Sequence, residues 1–332
     1  MRLFILYEQG NRKNMFQTVS YIATNFIINN FHIILYAFFI LLFIEWLVCL
    51  YRVLIKRSKS IVEKIIVVGV PLVIIWVFAL EQTMLVTTRQ DIYIKNLPDK
   101  FDNYKIVFIT DLHAGSPFTK ESKIKRVVNL ANKQNGDLIL IGGDYEVTGM
   151  ILSEFVPMEK IAPLLKNLNS KNGTYSVLGN HDYFNGKTEI ENQLRKNHIK
   201  VLENKTINIG TKTEPFYLAG LGDYDFGNAD WTVTNNIPKD KPAIVLVHEP
   251  DFFPFIPDNI ALTVSGHTHG GQIRIPFYGA IKTPSVYGNK YAKGLIKEGN
   301  KQLYISSGVG TSILPVRLFN PPEITVLTLK KD

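Results

Sequence analysis

An α/β fold preceded by N-terminal transmembrane helices is the architecture that this 332-residue sequence predicts, and three observations predict it. Two long apolar runs fall within the first 83 residues. From about Asp91 onward, short apolar runs alternate with stretches of helical spacing, the pattern of a parallel sheet covered by helices. Five of the seven histidines directly follow such apolar runs, in company with Asp, Asn and Gly. That places polar chemistry at the carboxyl ends of strands, where open α/β sheets bind their ligands.

In the first region, every residue from Ile33 to Leu50 except Glu45 is apolar or aromatic, and Ile65 to Leu80 carries no charge. As helices over about 33–54 and 65–83, both approach the ~30 Å of a bilayer core. The uncharged part of the second run spans only about 24 Å. It also holds Gly69 and Pro71, so a buried or re-entrant segment is the alternative to a span there. Phe16 to Ile28 is a weaker candidate for a third span or an interfacial helix, with Asn25 and Asn29-Asn30 against full insertion. No small-residue cleavage site follows a short apolar core, so the region does not read as a cleaved signal peptide.

The loop between the two runs holds Arg52, Lys56, Arg57, Lys59 and Lys64, which places it in the cytoplasm by the positive-inside rule. Everything after about Met84 is then expected outside, with two spans or with three. With three, Arg2, Arg12 and Lys13 would also lie inside. The expected division is a membrane region over 1–83 and a catalytic domain over 84–332.

The net charge of +8 divides unevenly along the chain. Residues 1–83 hold eight Lys/Arg and four Asp/Glu, a net +4, which leaves only +4 over the rest. The larger part is nearly neutral and has no basic tract interleaved with aromatics, so no nucleic-acid partner is expected. The single cysteine, Cys49, lies in the first apolar run. No intrachain disulfide and no thiolate metal site can form, and any metal must take oxygen and nitrogen ligands.

Beyond the membrane region, Asp91-Ile92-Tyr93-Ile94 reads as a short strand ended by a turn at Leu97-Pro98-Asp99. Lys105 to Thr110 is a buried strand, and Lys120 to Gln134 has helical spacing with Ile124, Val127, Val128 and Leu130 on one side. Asp137 to Ile141 is the next strand, and Phe155 to Leu168 is helical in pattern but interrupted at Pro157 and Pro163. Strands over Thr174 to Leu178, Phe216 to Ala219, Ala243 to Val247 and Ala261 to Val264 continue the rhythm, with a helix near Glu189 to Lys196. Tyr304 to Ser306 and Ile324 to Leu329 close the chain as β structure, and this strand-rich last third predicts a second sheet packed on the first.

Five segments carry the chemistry: Asp111-Leu112-His113, Gly142-Gly143-Asp144, Gly179-Asn180-His181-Asp182, Val247-His248 and Gly266-His267-Thr268-His269. Asp111 and His113 are two apart, so in an extended segment both side chains point one way while Leu112 points to the core. His267 and His269 repeat that spacing. The flanking glycines let the backbone crowd close to an ion. Asn180 offers a neutral amide oxygen, and Asp144 a carboxylate able to bridge two cations. Each segment alone is as readily structural; their conjunction is what a two-metal hydrolytic site needs.

From about Lys105 to Gln272 the chain resembles the calcineurin-like metallophosphoesterase superfamily, whose signature runs Asp-x-His, Gly-Asp, Gly-Asn-His-Asp or Glu, a lone His, then Gly-His-x-His. The resemblance implies a four-layer αββα sandwich with the site at the strand ends. By motif position it implies Asp111, His113 and His269 on one metal, Asn180, His248 and His267 on a second, and Asp144 between them. Two divalent cations about 3.5–4 Å apart can hold a bridging hydroxide, lower its pKa and clamp the phosphoryl oxygens during in-line attack. Manganese, iron and zinc all suit such nitrogen and oxygen ligands. His181, left without a metal, is expected to protonate the leaving oxygen, with Asp182 beside it as the orienting carboxylate.

Lower-ranking candidates are Asp223 and Asp225, as substrate contacts or a solvated turn, and the stretch Arg274, Phe277, Tyr278, Tyr287 and Tyr291, as a pocket wall or loop packing. Met150, Ile151, Leu152, Phe155 and Val156 could dip into a bilayer or start a core-facing helix. His32 and His198 are assigned no function. The membrane segments together with Asp-Leu-His-Ala-Gly and Gly-His-Thr-His-Gly-Gly-Gln look most like bacterial membrane-associated or exported metallophosphoesterases, some of them similar to UDP-2,3-diacylglucosamine pyrophosphatases. The expectation is a multi-pass membrane enzyme hydrolysing an envelope or lipid-linked phosphoester or pyrophosphate. The lipid A precursor is cytoplasmic, whereas the basic loop puts the domain outside, and the loop outweighs analogy at the level of the fold. A non-catalytic scaffold would have lost ligands or His181, and this chain keeps them all.

Overall fold

The computed structural model describes residues 40–150, 152–211 and 213–332. The stretch 33–39, the segment Phe16 to Ile28, the basic residues Arg2, Arg12 and Lys13, His32 and Ile151 lie outside the described residues. The chain divides into two compact units between Ile74 and Ile75, ahead of the boundary drawn from composition at Met84.

In the first unit a helix, α1, covers 40–54, with Leu41, Phe43 and Leu47 exposed along it. Helix α2, Ile61–Thr83, has 23 residues and only 6% of its most apolar window is buried. It is roughly 35 Å long, so the second apolar run is not short once its polar ends are counted. Among the described residues it is the one helix long and apolar enough to cross a membrane, by length and composition. Its residues from Ile75 onward belong to the second unit, and there the helix widens into a π-type turn over Trp76–Leu80.

In the second unit the chain forms β1 (Val86–Ile94), β2 (Lys105–Ile109), α3 (Glu121–Asn132), β3 (Leu138–Ile141), α4 (Met158–Leu165), β4 (Thr174–Ser176), α5 (Asn180–Lys196) and β5 (Lys200–Val201). It continues through β6 (Lys205–Asn208), β7 (Tyr217–Gly220), β8 (Ala243–Leu246), β9 (Leu262–Ser265) and the short pair β10 (Arg274–Ile275) and β11 (Gly279–Ala280). The last strands are β12 (Gly294–Glu298), β13 (Lys301–Ile305) and β14 (Glu323–Lys331). Two six-stranded sheets result, ordered β1-β14-β2-β3-β4-β5 and β12-β13-β9-β8-β7-β6. Strands β2 to β5 run parallel in the first sheet, as do β13, β9, β8 and β7 in the second.

The apolar runs explain the layering. Along β2 and β3, Ile106, Phe108, Leu138 and Leu140 join Leu218, Ile244, Leu246, Leu262 and Val264 of the second sheet in one core. Their alternating neighbours Val107, Ile109, Ile139 and Ile141 pack instead against Ile124, Val127, Met158, Ile161 and Leu194 on the helices. A strand buried on both faces needs apolar residues at every position, and each such side chain contributes ~1.5–3 kcal/mol.

The outer face of the second sheet departs from the expected αββα arrangement. Val245, Val247 and Ala219 are covered by Phe252, Ile256 and Val233, which come from 3₁₀ turns at Pro250–Phe255 and Trp231–Thr234 and from the segment after the first of them. Pro254 lacks the N–H that an α-helix starting at Pro250 would need to bond the Pro250 carbonyl. Helix α5 also starts earlier than its apolar spacing shows. Gly179 is the N-cap, and its N–H donates to the Asp182 carboxylate at 2.9 Å, the half of a capping box that a glycine allows. Gly186, at φ 114°, then interrupts the periodicity, which resumes with buried Ile190 and Leu194.

Candidate metal centre

The seven candidate ligands lie just past the carboxyl ends of β2, β3, β4, β8 and β9, on both sheets, with Asn180 opening α5. Three groups of side chains bring their ligating atoms within 4.8 Å of one another: Asp111, His113 and His269; Asp144, His248 and His267; and His113, Asp144 and His181. Asp144 Oδ2 stands 3.4 Å from His113 Nε2 and 3.2 Å from His248 Nε2. His113 Nε2 is 3.1 Å from His269 Nε2, and His267 Nδ1 is 3.2 Å from His248 Nε2. Asn180 Oδ1 is buried with no hydrogen-bond partner.

These spacings fit cations. Nitrogen and oxygen donors at ~2.0–2.2 Å from one metal ion stand roughly 3 Å apart, as the paired imidazoles do. The protonation of three of the four ligand histidines agrees. Burial pushes the imidazoles of His113 and His267 down to about 3 and that of His269 well below its ordinary range, so all three are neutral, the form that ligates. His248 Nδ1 lies 2.7 Å from the Gly142 carbonyl, which can only accept, so Nδ1 carries the proton and Nε2 is turned toward Asp144. Burial disfavours a charge on both His248 and Asp144, but their mutual attraction outweighs it. The imidazole is held well above its usual range and the carboxyl well below, so a cation taken by His248 would have to displace the Nε2 proton. Burial raises the Asp111 carboxyl to about 7. A buried arrangement of this kind favours positive charge at its centre.

The backbone reaches this geometry differently from the extended reading. Asp111, His113, Asp144, His267 and His269 all have positive φ, between 42° and 67°. Strand β2 has ended at Ile109, and a left-handed turn, not strand alternation, aims Asp111 and His113 at the centre, although Leu112 is buried in the core as expected. Such non-glycine conformations cost of order 1–3 kcal/mol each and persist where surrounding bonds enforce them. Here Asp111 N donates to Gly143 O, His113 N to Asp144 O, and His267 N to Asp111 Oδ1, each at 3.0 Å. Gly179 is needed for close approach, since a Cβ there would stand 2.4 Å from Asp144 Oδ1.

Asp182 does not orient His181. Its carboxylate accepts from Asp144 N at 2.8 Å, Tyr145 N at 2.9 Å and Gly179 N at 2.9 Å, tying the β3 and β4 loops together. Burial and then the charge of Asp144 push this carboxyl up to about 8, while the main-chain donors pull it down. The reason for the correction is helical geometry: Asp182 is the third residue of α5, and its side chain returns to the cap. The His181 ring packs edge-on to His113 with centroids 4.8 Å apart, and its Nδ1 has no hydrogen-bond partner.

A segment that sequence reasoning missed frames the site. After β13, Val309 N donates to Thr110 O at 3.1 Å and Gly310 N to Asp111 O at 2.6 Å. Gly308 allows this, because a Cβ there would lie 2.7 Å from Asp111 Cβ. The fully buried Arg317 holds the segment by donating to the carbonyls of Ser307, Gly308, Gly310 and Asn320, and Asn320 Nδ2 donates to His269 O at 2.6 Å. Glu81, at the end of α2, accepts from Phe319 N at 3.0 Å and Asn320 N at 2.5 Å, and Gln82 donates to Pro315 O. The glycine-rich run Ser306-Ser307-Gly308-Val309-Gly310 directly after an apolar strand was the signal available.

The lower-ranking candidates divide into buried and exposed residues. Asp223 is buried and accepts from Asp225 N and Phe226 N, forming a turn, while Asp225 is exposed. Tyr291 is core, its hydroxyl donating to Glu298, whereas Phe277 and Tyr278 are exposed. Met150 and Val156 pack inward, and Leu152 and Phe155 point out.

Comparison with known proteins agrees with this geometry. The family model described as calcineurin-like phosphoesterase matches residues 104–271. An uncharacterized metallophosphoesterase of Bacillus subtilis, YkuE, is 37% identical over 76% of this chain and 87% of its own length. The phosphodiesterase YaeI of Escherichia coli is 35% identical over 68% of this chain and 82% of its own. A zebrafish transmembrane protein with a metallophosphoesterase domain is 28% identical over 73% of this chain, which spans 56% of that protein.

Proposed function

The chain belongs to the calcineurin-like phosphoesterase family, a metal-dependent phosphoric ester hydrolase, and on that premise we propose that it is a membrane-anchored enzyme using two divalent cations to cleave a phosphodiester of an envelope or lipid-linked substrate. The observation that carries the reading is the convergence of His113 Nε2 and His248 Nε2, from opposite sheets, on one oxygen of Asp144. Asp111, His113 and His269 would hold one cation and Asn180, His248 and His267 the other, with Asp144 able to serve both. When bound, two such cations lower the pKa of a water and stabilise the phosphoryl charge that develops. His181 lines the same centre and passes a proton from its ring nitrogen to the leaving oxygen. Asp182 and Arg317 fasten the loops that aim these groups.

The name of the E. coli relative supports a diester, and helix α2 supports a lipid-linked one, since confinement to a membrane raises the effective concentration of a lipid substrate. The test is a screen of monoesters, diesters and pyrophosphates, lipid-linked ones included, against the manganese-loaded, detergent-solubilised protein. Preference for a lipid-linked diester is the expected result, and activity confined to soluble monoesters would reject the reading. For topology, a reporter active only outside the cytoplasm and fused at about Val86 should be active. An inactive fusion would put the domain in the cytoplasm and favour a UDP-2,3-diacylglucosamine pyrophosphatase.

Arg317 supplies a further prediction. Its replacement by Met should weaken metal binding about 10- to 100-fold by loosening the groups behind Asp111 and His269. Calorimetric titration of the metal-free protein would measure this, with thermal melting as a check of folding. Unchanged affinity in a folded variant would show that the segment after β13 does not position the ligands.

A further inference from the structure

We propose that the loops around the metal centre form an apolar collar that docks onto the surface of the lipid bilayer, so that the site opens at the membrane. The inference rests on the membrane-anchored reading above and extends it to the catalytic unit itself. Phe319, Ile313, Phe277, Tyr278, Leu152 and Phe155 are large, exposed and apolar or aromatic, which a soluble surface rarely concentrates in loops at one site.

The loops that bear them are fastened to one another. Gln272 donates to Leu314 O and accepts from Ser312 N, Leu318 N donates to Gln272 O, and Arg274 N to Leu318 O, which joins the loop of Ile313 and Phe319 to the hairpin of Phe277 and Tyr278. Thr311 Oγ1 donates to Met150 Sδ at 3.9 Å, joining the loop that carries Leu152 and Phe155. The same segment touches the metal centre through Gly310 N on Asp111 O and Asn320 Nδ2 on His269 O.

What commits the collar to a bilayer is its continuity with the end of α2. Glu81 accepts from Phe319 N and from Asn320 N, and Trp76 Nε1 donates to the same carboxylate at 2.7 Å. The exposed Trp76 of the apolar helix therefore shares one hydrogen-bonded cluster with exposed Phe319, and Leu80, beside Glu81 in the chain, is exposed as well. Tryptophan and tyrosine at the end of an apolar helix and on the adjoining loops suit the interfacial layer of a membrane.

The test uses the full chain in lipid nanodiscs, with Cys49→Ala as background and a bimane label at one new cysteine: Phe319→Cys, Ile313→Cys or Phe277→Cys. Lys239→Cys, exposed and outside the collar, is the aqueous control, and Leu47→Cys, on α1, reports the membrane region. Lipids carrying a doxyl quencher near the headgroup should remove most of the emission at the three collar positions and little at Lys239→Cys. Collar labels as bright as Lys239→Cys, with Leu47→Cys quenched, would overturn the docking and leave the anchor standing. An unquenched Leu47→Cys would show that the membrane reading itself has failed, and the docking with it.

Discussion

Asp144→Asn is expected to lower phosphoester hydrolysis by about 10³-fold or more, because metal stabilisation of phosphoryl charge is worth several kcal/mol and this one carboxylate faces both ligand sets. Asp144 Oδ2 is the only carboxylate oxygen within 3.4 Å of imidazoles from both sheets among the described residues. Asparagine preserves the volume, and the bonds from Asp144 N to Asp182 and from His113 N to Asp144 O use main-chain atoms of residue 144 and persist. What is lost is negative charge in a buried centre that gathers cations. Metal content should fall with activity, and thermal melting of the metal-free variant checks that it is folded despite losing the partner of His248. A variant that keeps wild-type turnover would remove the two-metal reading.

His181→Ala should cost roughly 10²- to 10⁴-fold, the usual contribution of a positioned general acid, but only where the leaving oxygen needs a proton. Alkyl and glyceryl esters should lose the full amount, and nitrophenyl esters, whose anion leaves unaided, much less. The spread separates the two roles that the geometry allows, since His181 also falls within 4.8 Å of ligating atoms of His113 and Asp144. As an acid it leaves metal content unchanged. Equal losses on both kinds of ester, together with missing metal, would make it a ligand.

The contrast between Asp144 and Asp182 shows where the sequence is legible. Residue type and position after an apolar strand suffice to find Asp111, His113, Asp144 and the histidines of the second sheet, because a strand buried on both faces delivers its polar terminus to the sheet edge. They do not reveal what a carboxylate contacts. Asp182 sits one residue from His181, yet the first turn of α5 bends its side chain back onto main-chain donors. The left-handed turns at the ligands are equally hidden, since no pattern of apolar residues encodes the sign of φ at His113 or His267. Arg317 and Glu81 were invisible for a third reason: they act on the centre through the segment after β13, far from the motifs in sequence. The 3₁₀ cover of the second sheet leaves one trace in the sequence, Pro254, which removes a donor that an α-helix starting at Pro250 would need.

In the proposed site one carboxylate joins two cations. Electron paramagnetic resonance of the full-length protein, titrated with manganese in detergent, tests it most directly. The account predicts an exchange-coupled spectrum that grows in as two ions bind per chain and disappears in Asp144→Asn. A spectrum of isolated, uncoupled manganese at full occupancy and full activity would contradict it.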